Sequence, residues 1–189
     1  MLFGNKNLSD KFNWHHEVQY RNYNIIGDLE QLLLRTGIGY NLGDNANLLQ
    51  GYGFIRSENV VTGDEKMVVN EHRLYQQLIT KQSVGKLRMQ HRYRFEQRFV
   101  EGDFRLRFRY FLGLGYPIWK SEESAKEFYL SAYNEIFLNT VANTFDRNRT
   151  YGGLGYKLND RLRFEFGYMN QFLNGFSRDQ LNVVTFFNW

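Results

Sequence analysis

Arginine is the residue type in this chain whose number and spacing indicate a chemical role. Basic side chains recur at alternate positions through two neighbouring segments, namely Lys86, Arg88, Arg92, Arg94, Arg98, Arg105, Arg107 and Arg109. A guanidinium group carries five N–H donors in a rigid fork, which suits it to bind carboxylates and phosphates. Such a series could fill a cavity with ion pairs, or it could bind an anion where carboxylates are too few to pair with it.

The other candidates for catalysis or metal binding form no recognisable motif. The four histidines, His15, His16, His72 and His91, show neither a Ser–His–Asp arrangement nor metal-ligand spacing. The chain has no Cys, which excludes a disulfide framework and a thiolate metal site. We therefore predict no catalytic residue, no metal and no cofactor.

The arginines are expected on strands because their pattern has a period of two. From Leu87 to Phe99 the odd positions are mostly apolar and the even positions polar, with Gln97 as the exception. A turn signal at Glu101-Gly102-Asp103 follows, and the alternation then restarts and continues to Tyr116. A helix would mix these side chains on every face, so the pattern indicates a long β-hairpin.

The same alternation extends along the chain and predicts ten strands. Their expected ranges are 12–23, 29–42, 47–57, 69–81, 86–99, 104–116, 127–139, 146–158, 161–173 and 180–189, after an N-terminal lead-in at 1–11. Strands of this length match the roughly 9–11 residues that cross a bilayer at a tilt. We predict an all-β fold, a closed antiparallel transmembrane β-barrel of about ten strands in an up-and-down meander, as a single domain over residues 12–189.

Composition agrees with a barrel but does not separate a soluble one from a membrane one. The mean hydropathy of −0.56 suggests a soluble protein, yet a polar lumen dilutes the hydropathy of a transmembrane barrel in the same way. Aromatic residues make up 17% of the chain and Pro117 is its single proline. Both values favour strands, whose ladders need every backbone N–H.

The chain ends predict an exported protein. Apolar residues alternate from Leu181 to Trp189, and a final strand with an aromatic end resembles the signal that the outer-membrane assembly machinery of Gram-negative bacteria recognises. The first residues lack the basic and apolar regions of a signal peptide. We expect a mature chain in the bacterial outer membrane with its signal peptide removed and both termini periplasmic. The longest expected loops are Glu58–Met67, extracellular, and Pro117–Ala125, periplasmic.

Five motifs in a fixed order carry a resemblance to a known family. They are Glu71–Gln77 (EHRLYQQ), His91–Phe99 (HRYRFEQRF), Tyr133–Asn139 (YNEIFLN), Phe145–Arg149 with Gly152–Tyr156 (FDRNR and GGLGY), and Glu165–Tyr168 (EFGY). Together they resemble the bacterial family catalogued as domain of unknown function 2490, over about Phe12 to Trp189. The resemblance implies an outer-membrane barrel and implies neither an activity nor catalytic residues.

If the apolar faces meet lipid, the opposite faces line the lumen. The cations expected there are Arg21, Arg35, Arg73, Lys86, Arg88, Arg92, Arg94, Arg98, Arg105, Arg107, Arg109, Arg147, Arg149, Arg161 and Arg163. The carboxylates expected there are Glu17, Glu71, Glu96, Glu135 and Glu165. Unpaired buried charge is costly, so these glutamates should be the hubs of an ion network. Inward glycines of the Gly-x-Gly repeats should let Arg and Tyr side chains lie across the lumen.

Three functions remain open on this reading. The first is a non-enzymatic structural component or accessory subunit of an envelope complex, with a lumen filled by Arg and Glu. The second is a small anion-selective channel or a binder of an anionic ligand, and the third is a membrane-embedded hydrolase or acyltransferase. Expected partners are membrane lipid, other outer-membrane proteins and a small anion. Nucleic acid is not expected, because aromatic and Arg side chains lie on opposite faces and could not act together.

Overall fold

The computed structural model describes residues 1–24, 27–62, 65–140 and 144–189, which form one closed β-barrel. Its strands are β1 (Leu2–Asn7), β2 (Phe12–Asn22), β3 (Leu29–Gly43), β4 (Ala46–Thr62), β5 (Glu65–Val84), β6 (Leu87–Val100), β7 (Asp103–Lys120), β8 (Glu127–Asn139), β9 (Phe145–Lys157), β10 (Leu162–Leu173) and β11 (Phe176–Asn188). Each strand pairs with its neighbour in sequence, and β1 also pairs with β11 to close the ring. None of these residues lies in a helix that could span a membrane.

The all-β meander is confirmed, but the expected strand count of about ten is wrong. Residues in the expected lead-in form an eleventh strand, β1, which runs antiparallel to β2 and parallel to β11. In the parallel pair Leu2 lies opposite Thr185 and Asn5 opposite Asn188. The strand is short and contains Gly4, so its alternation is too weak to read from sequence. It pairs with both β2 and β11, whose edges would otherwise be open.

The connections between strands lie on two rims. The lower rim carries the β1–β2, β3–β4, β5–β6, β7–β8 and β9–β10 connections and the end of β11, and the opposite, upper rim carries the β6–β7 and β10–β11 connections. The β6–β7 connection on the upper rim is a two-residue turn in which Glu101 and Gly102 have φ values of 47° and 93°. Two positive φ values in succession are typical of the tight turn that matches the twist of a hairpin.

Of the two segments that the alternation left as long loops, the described part of the first is strand and the second is strand in its first four residues. Towards the upper rim β4 continues to Thr62 and β5 begins at Glu65, while residues 63–64 of the expected loop lie outside the described residues. Towards the lower rim β7 continues through Pro117 to Lys120, with a register shift between Pro117 and Trp119. A bulge is one of the few places where a strand tolerates proline.

The barrel is polar inside and apolar outside. Among the described residues, fifteen buried side chains are polar or charged and nine are hydrophobic. The outward side chains include a row of direct neighbours across β7 to β11, which we call the outer apolar row: Tyr116, Leu130, Leu154, Phe166 and Val183. These five side chains are 45–64% exposed. The alternation seen in the sequence therefore separates an apolar wall from a charged lumen.

Aromatic side chains in the lumen occupy the space that inward glycines leave free. A Cβ atom on Gly51 would lie 2.2 Å from Cζ of Tyr75, and one on Gly155 would lie 2.1 Å from Cζ of Tyr129. Both tyrosines are almost fully buried. These contacts agree with the expectation that small residues let long side chains lie across the lumen, and they show that aromatic rings fill it together with the ion pairs.

We expect Gly155→Ala to destabilise the barrel by about 1–3 kcal/mol, the usual cost of overpacking, because the new methyl group would overlap the ring of Tyr129. Gly152→Ala on the same strand is the matched control, because no atom lies within 4 Å of its Cβ position. Its free energy of unfolding should stay the same or rise slightly. Urea unfolding in detergent, followed by tryptophan fluorescence, measures both, and equal effects would contradict the packing described here.

Candidate functional site

Glu96 on β6 is the centre of the ion network in the lumen, and its side chain is 0% exposed. Arg107, directly opposite on β7, donates from Nε and Nη2 to its Oε2 atom at 2.9 and 2.6 Å. Arg109 donates from Nη1 to Oε1 at 2.7 Å. The Nη1 atom of Arg94 lies 3.7 Å from the same Oε1 atom. One buried carboxylate is thus shared among three guanidinium groups.

Arg109 connects this centre to a second carboxylate, Glu135 on β8. Its Nε and Nη2 atoms donate to Oε1 of Glu135 at 3.0 and 2.6 Å, while Nη2 of Arg92 donates to the same oxygen at 2.8 Å. On the other side of the centre, Nη1 of Arg107 donates to Asp146 at 3.0 Å. The network therefore runs without a break from β6 to β9, because two arginines each bridge two acids.

Two further carboxylates hold smaller clusters. Glu71 accepts two hydrogen bonds from Arg73, at 2.5 and 2.8 Å, and two from Arg98, at 2.5 and 3.0 Å. Glu17 accepts one from Nη1 of Arg35 at 2.6 Å. Charge-assisted bonds of this kind are about twice as strong as neutral ones. Each arginine of these two clusters has a carboxylate partner, which reduces the cost of burying it.

Phe137 on β8 is a lumen residue that the sequence reasoning missed. Its ring is 2% exposed, and four guanidinium carbons lie 4.4–5.8 Å from its centre. They belong to Arg107, Arg109, Arg147 and Arg149. The negative face of an aromatic ring attracts cations, most strongly away from water. The signal was available, because Phe137 is two residues from Glu135 and so lies on the same face of its strand.

The structure brings ten of the predicted network residues together, and five of them, including Glu17, stand apart. Glu165 accepts hydrogen bonds from the hydroxyls of Tyr129 and Ser131 rather than from arginine. Arg105 pairs with exposed Asp103 at the upper rim, and Arg163 lies over the ring of Phe186 near the lower rim. Arg149 contacts an amide oxygen, as described below. The members that lie together are Arg73 with Glu71 and Arg98, and Arg92, Arg94, Glu96, Arg107, Arg109, Glu135 and Arg147, while Glu17 forms its own pair with Arg35.

The lumen is less cationic than the alternation predicted. Lys86 and Arg161 were expected inside, but both lie exposed in connections at the lower rim. Two acids were missed. Glu127 binds Arg88 at 2.5 Å from the inward face of β8, and Asp146 reaches Arg107 because the β8–β9 register shifts between Phe137 and Leu138. A β-bulge shifts the inward–outward alternation by one residue, so a side chain that the alternation places outside faces the lumen.

The histidines lie away from the network or at its edge. His72 and His91 face outward, where their Nδ1 atoms lie 2.6 and 2.9 Å from the hydroxyls of Tyr52 and Tyr110. His15 faces inward, with Nε2 at 3.9 Å from Glu17. Among the residues that the structure describes, no histidine ring is hydrogen-bonded to a serine or threonine hydroxyl, and no group of three His, Asp or Glu could hold a metal ion.

A pocket of about 710 Å³ opens at the upper rim, lined in part by Arg98, Arg105 and Arg147. Each of these cations already has an acid partner. Arg105 and Arg147 pair with Asp103 and Asp146 at 2.8 and 3.2 Å, and Arg98 is bound to a buried glutamate in the lumen. The pocket is therefore a polar mouth above the network, with little charge left over for a ligand.

Comparison with known proteins identifies two similarities. A family profile described as "Protein of unknown function (DUF2490)" matches residues 1–182. An uncharacterized protein of Methylorubrum extorquens is 32% identical over 165 residues, which cover 82% of this chain and 69% of that relative. No solved structure matches the chain.

The network predicts unequal roles for two buried glutamates. Glu96→Gln should destabilise the barrel by about 3–5 kcal/mol, because it leaves the guanidinium groups of Arg107 and Arg109 buried with too little negative charge. Glu165→Gln is the control. It should cost about 1 kcal/mol or less, because an amide oxygen can still accept from Tyr129 and Ser131.

Urea unfolding of the two variants in the same detergent measures the difference. Equally small losses of stability would show that the charge of Glu96 does not stabilise the barrel. Equally large losses would show that any polar substitution in the lumen destabilises it.

Proposed function

Because the chain belongs to the DUF2490 family of proteins of unknown function, whose description names no activity, we propose its function from the barrel itself. The chain is a non-enzymatic barrel of the bacterial outer membrane, with the lower rim and Trp189 facing the periplasm. Its lumen is closed by the arginine–glutamate network. It acts as a structural component or accessory subunit of the envelope.

The inverted distribution of polarity is the observation that carries this proposal. A barrel surrounded by water would place its apolar side chains in the lumen, since burying them is the main driving force of folding. Here the outer apolar row is exposed while Glu17, Glu71, Glu96 and Glu135 are buried. Contiguous apolar surface of this extent marks contact with a membrane or another protein. A bilayer would surround the barrel and cover this apolar surface on all sides.

Aromatic side chains at both rims support the same environment. Near the lower rim Phe12 packs against Tyr40, and Trp119 packs against Phe128. Near the upper rim Phe99 packs against Phe104 at 5.2 Å between ring centres. Bands of aromatic residues at both interfaces are a common feature of outer-membrane barrels.

The closed lumen supports a structural role rather than transport. A water-filled channel leaves its wall accessible, but Glu96, Phe137 and Tyr75 in the lumen are 0–2% exposed. Barrels of this strand number are narrow enough for side chains to fill. The guanidinium carbon of Arg94 lies 4.5 Å from the centre of the Tyr75 ring. Nε of Arg94 donates a hydrogen bond to the side-chain oxygen of Gln77.

Two phenylalanines test the membrane environment. Phe166→Arg in the outer apolar row should cost about 2–4 kcal/mol in lipid vesicles, because the charge would face hydrocarbon. Phe176→Arg at the upper rim, where the native side chain is also exposed, should cost about 1 kcal/mol or less. Urea-dependent folding into vesicles measures both. Equal effects, or a monomer that stays soluble without detergent, would contradict the membrane proposal.

Recording from planar lipid bilayers tests whether the lumen is closed. The purified barrel should give no steady single-channel conductance, because the network leaves no continuous water path through it. A general porin inserted under the same conditions is the positive control. A reproducible conductance that prefers anions would overturn the closed lumen and favour a channel.

A further inference from the structure

Two inward-facing arginines, Arg21 on β2 and Arg149 on β9, form no ion pair with a carboxylate among the described residues. Arg21 donates from Nη2 to Gln19 at 2.6 Å and from Nη1 to Gln31 at 3.3 Å. Arg149 donates from Nε to Gln171 at 2.8 Å. An amide oxygen accepts a hydrogen bond but carries no net charge. Both cations are therefore held in place without being neutralised.

The carboxylates nearest to these arginines are already bound by others. Glu30 precedes Gln31, which binds Arg21, and both oxygens of Glu30 accept from Arg178. Glu135 lies directly opposite Arg149 in the β8–β9 pair, and its Oε1 atom accepts from Arg92 and Arg109. Both acids are thus already engaged by other arginines.

The two cations lie in one sector of the upper lumen, although β2 and β9 are not neighbours in the wall. Arg149 binds Gln171, which lies opposite Arg178 in the β10–β11 pair, and Arg178 binds Glu30, the neighbour of the Gln31 that binds Arg21. The hydroxyl of Tyr133 reaches Met169, which is two residues from Gln171 on the same face of β10. Like charges that share one sector of the lumen repel each other. An anion bound between them would offset this repulsion.

The side chains of Arg21, Arg149 and Tyr133 have hydrogen-bond donors that the described residues leave unused or bind only weakly. Nε of Arg21 is buried without a partner, and the terminal nitrogens of Arg149 make no hydrogen bond with the described residues. The hydroxyl of Tyr133 donates only to the sulfur of Met169, a weak acceptor, at 3.1 Å. The site offers donors and positive charge.

We propose that a small oxyanion binds in the lumen between Arg21 and Arg149, with the hydroxyl of Tyr133 as a further donor. Its class is a free phosphate or a similar tetrahedral oxyanion, because such an anion can accept from Nε of Arg21 and from the terminal nitrogens of Arg149 together. The site is in the upper half of the barrel, since Arg21 is next to the end of β2 and Arg149 is near the start of β9. This inference goes beyond the structural role and does not depend on the membrane.

Isothermal titration of the purified full chain with inorganic phosphate tests the site. The detergent is dodecyl maltoside, which carries no charged group, and chloride keeps the ionic strength constant. The wild type should show saturable binding of one phosphate. Arg21→Gln with Arg149→Gln should weaken it at least tenfold, and Arg149→Gln alone serves if the double variant does not fold. Arg163→Gln removes an exposed arginine without a carboxylate partner near the opposite rim, so it should bind as the wild type does.

A second measurement separates the site from general loss of structure. Without phosphate, the double variant should unfold at the same or a higher urea concentration than the wild type, because the repulsion between the two cations is gone. With phosphate, only the wild type and Arg163→Gln should gain stability.

Three results would overturn the proposal. They are no saturable phosphate binding by the wild type, equal binding by the double variant, and binding of vesicles with a phosphate-bearing anionic lipid that free phosphate does not displace. The last result would assign the charge to a lipid headgroup.

Discussion

Arginine inside a closed wall has to be neutralised, and the rest of this structure depends on how that is done. Removing an ion from water costs several kcal/mol even after the protein relaxes, so a buried cation needs an acid at close range and further acceptors for its remaining donors. Arg109 meets this demand by binding Glu96 and Glu135 together. Because the same guanidinium group serves two acids on different strands, the network also holds three strands of the wall in one arrangement.

Charge pairing and strand register support each other. Glu17 lies directly opposite Arg35 in the β2–β3 pair, as Glu96 lies opposite Arg107 in the β6–β7 pair. A slip of one residue would turn these charges to the outside and bring apolar side chains into the lumen. Opposite charges at facing positions therefore stabilise the sheet and also exclude the alternative registers. Lipid on the outer face would make such a slip more costly still, because the charges would then face hydrocarbon.

Alternation predicts which face of a strand a residue occupies, and it predicts little about which residues meet. It placed Glu96, Arg107 and Arg109 in the lumen correctly, because the period of two is unbroken through β6 and β7. It failed at Asp146, where a register shift changes the parity, and at β1, whose six residues give no clear period. The contact of Arg88 with Glu127 joins β6 to β8 across the intervening strand. Such a contact depends on the curvature of the closed barrel, which no local pattern records.

Arg21 and Arg149 are bound by glutamine rather than glutamate side chains, and this difference bears on whether their part of the lumen is only filled or also binds a ligand. At Glu71 and Glu96 a carboxylate binds the arginines and offsets part of their charge. At Gln171 the chain has the same hydrogen bond without the charge. A glutamate there would neutralise Arg149 and make the barrel more stable by ordinary electrostatics. An uncharged acceptor in that position orients the guanidinium group and leaves its charge for the oxyanion that we propose binds there.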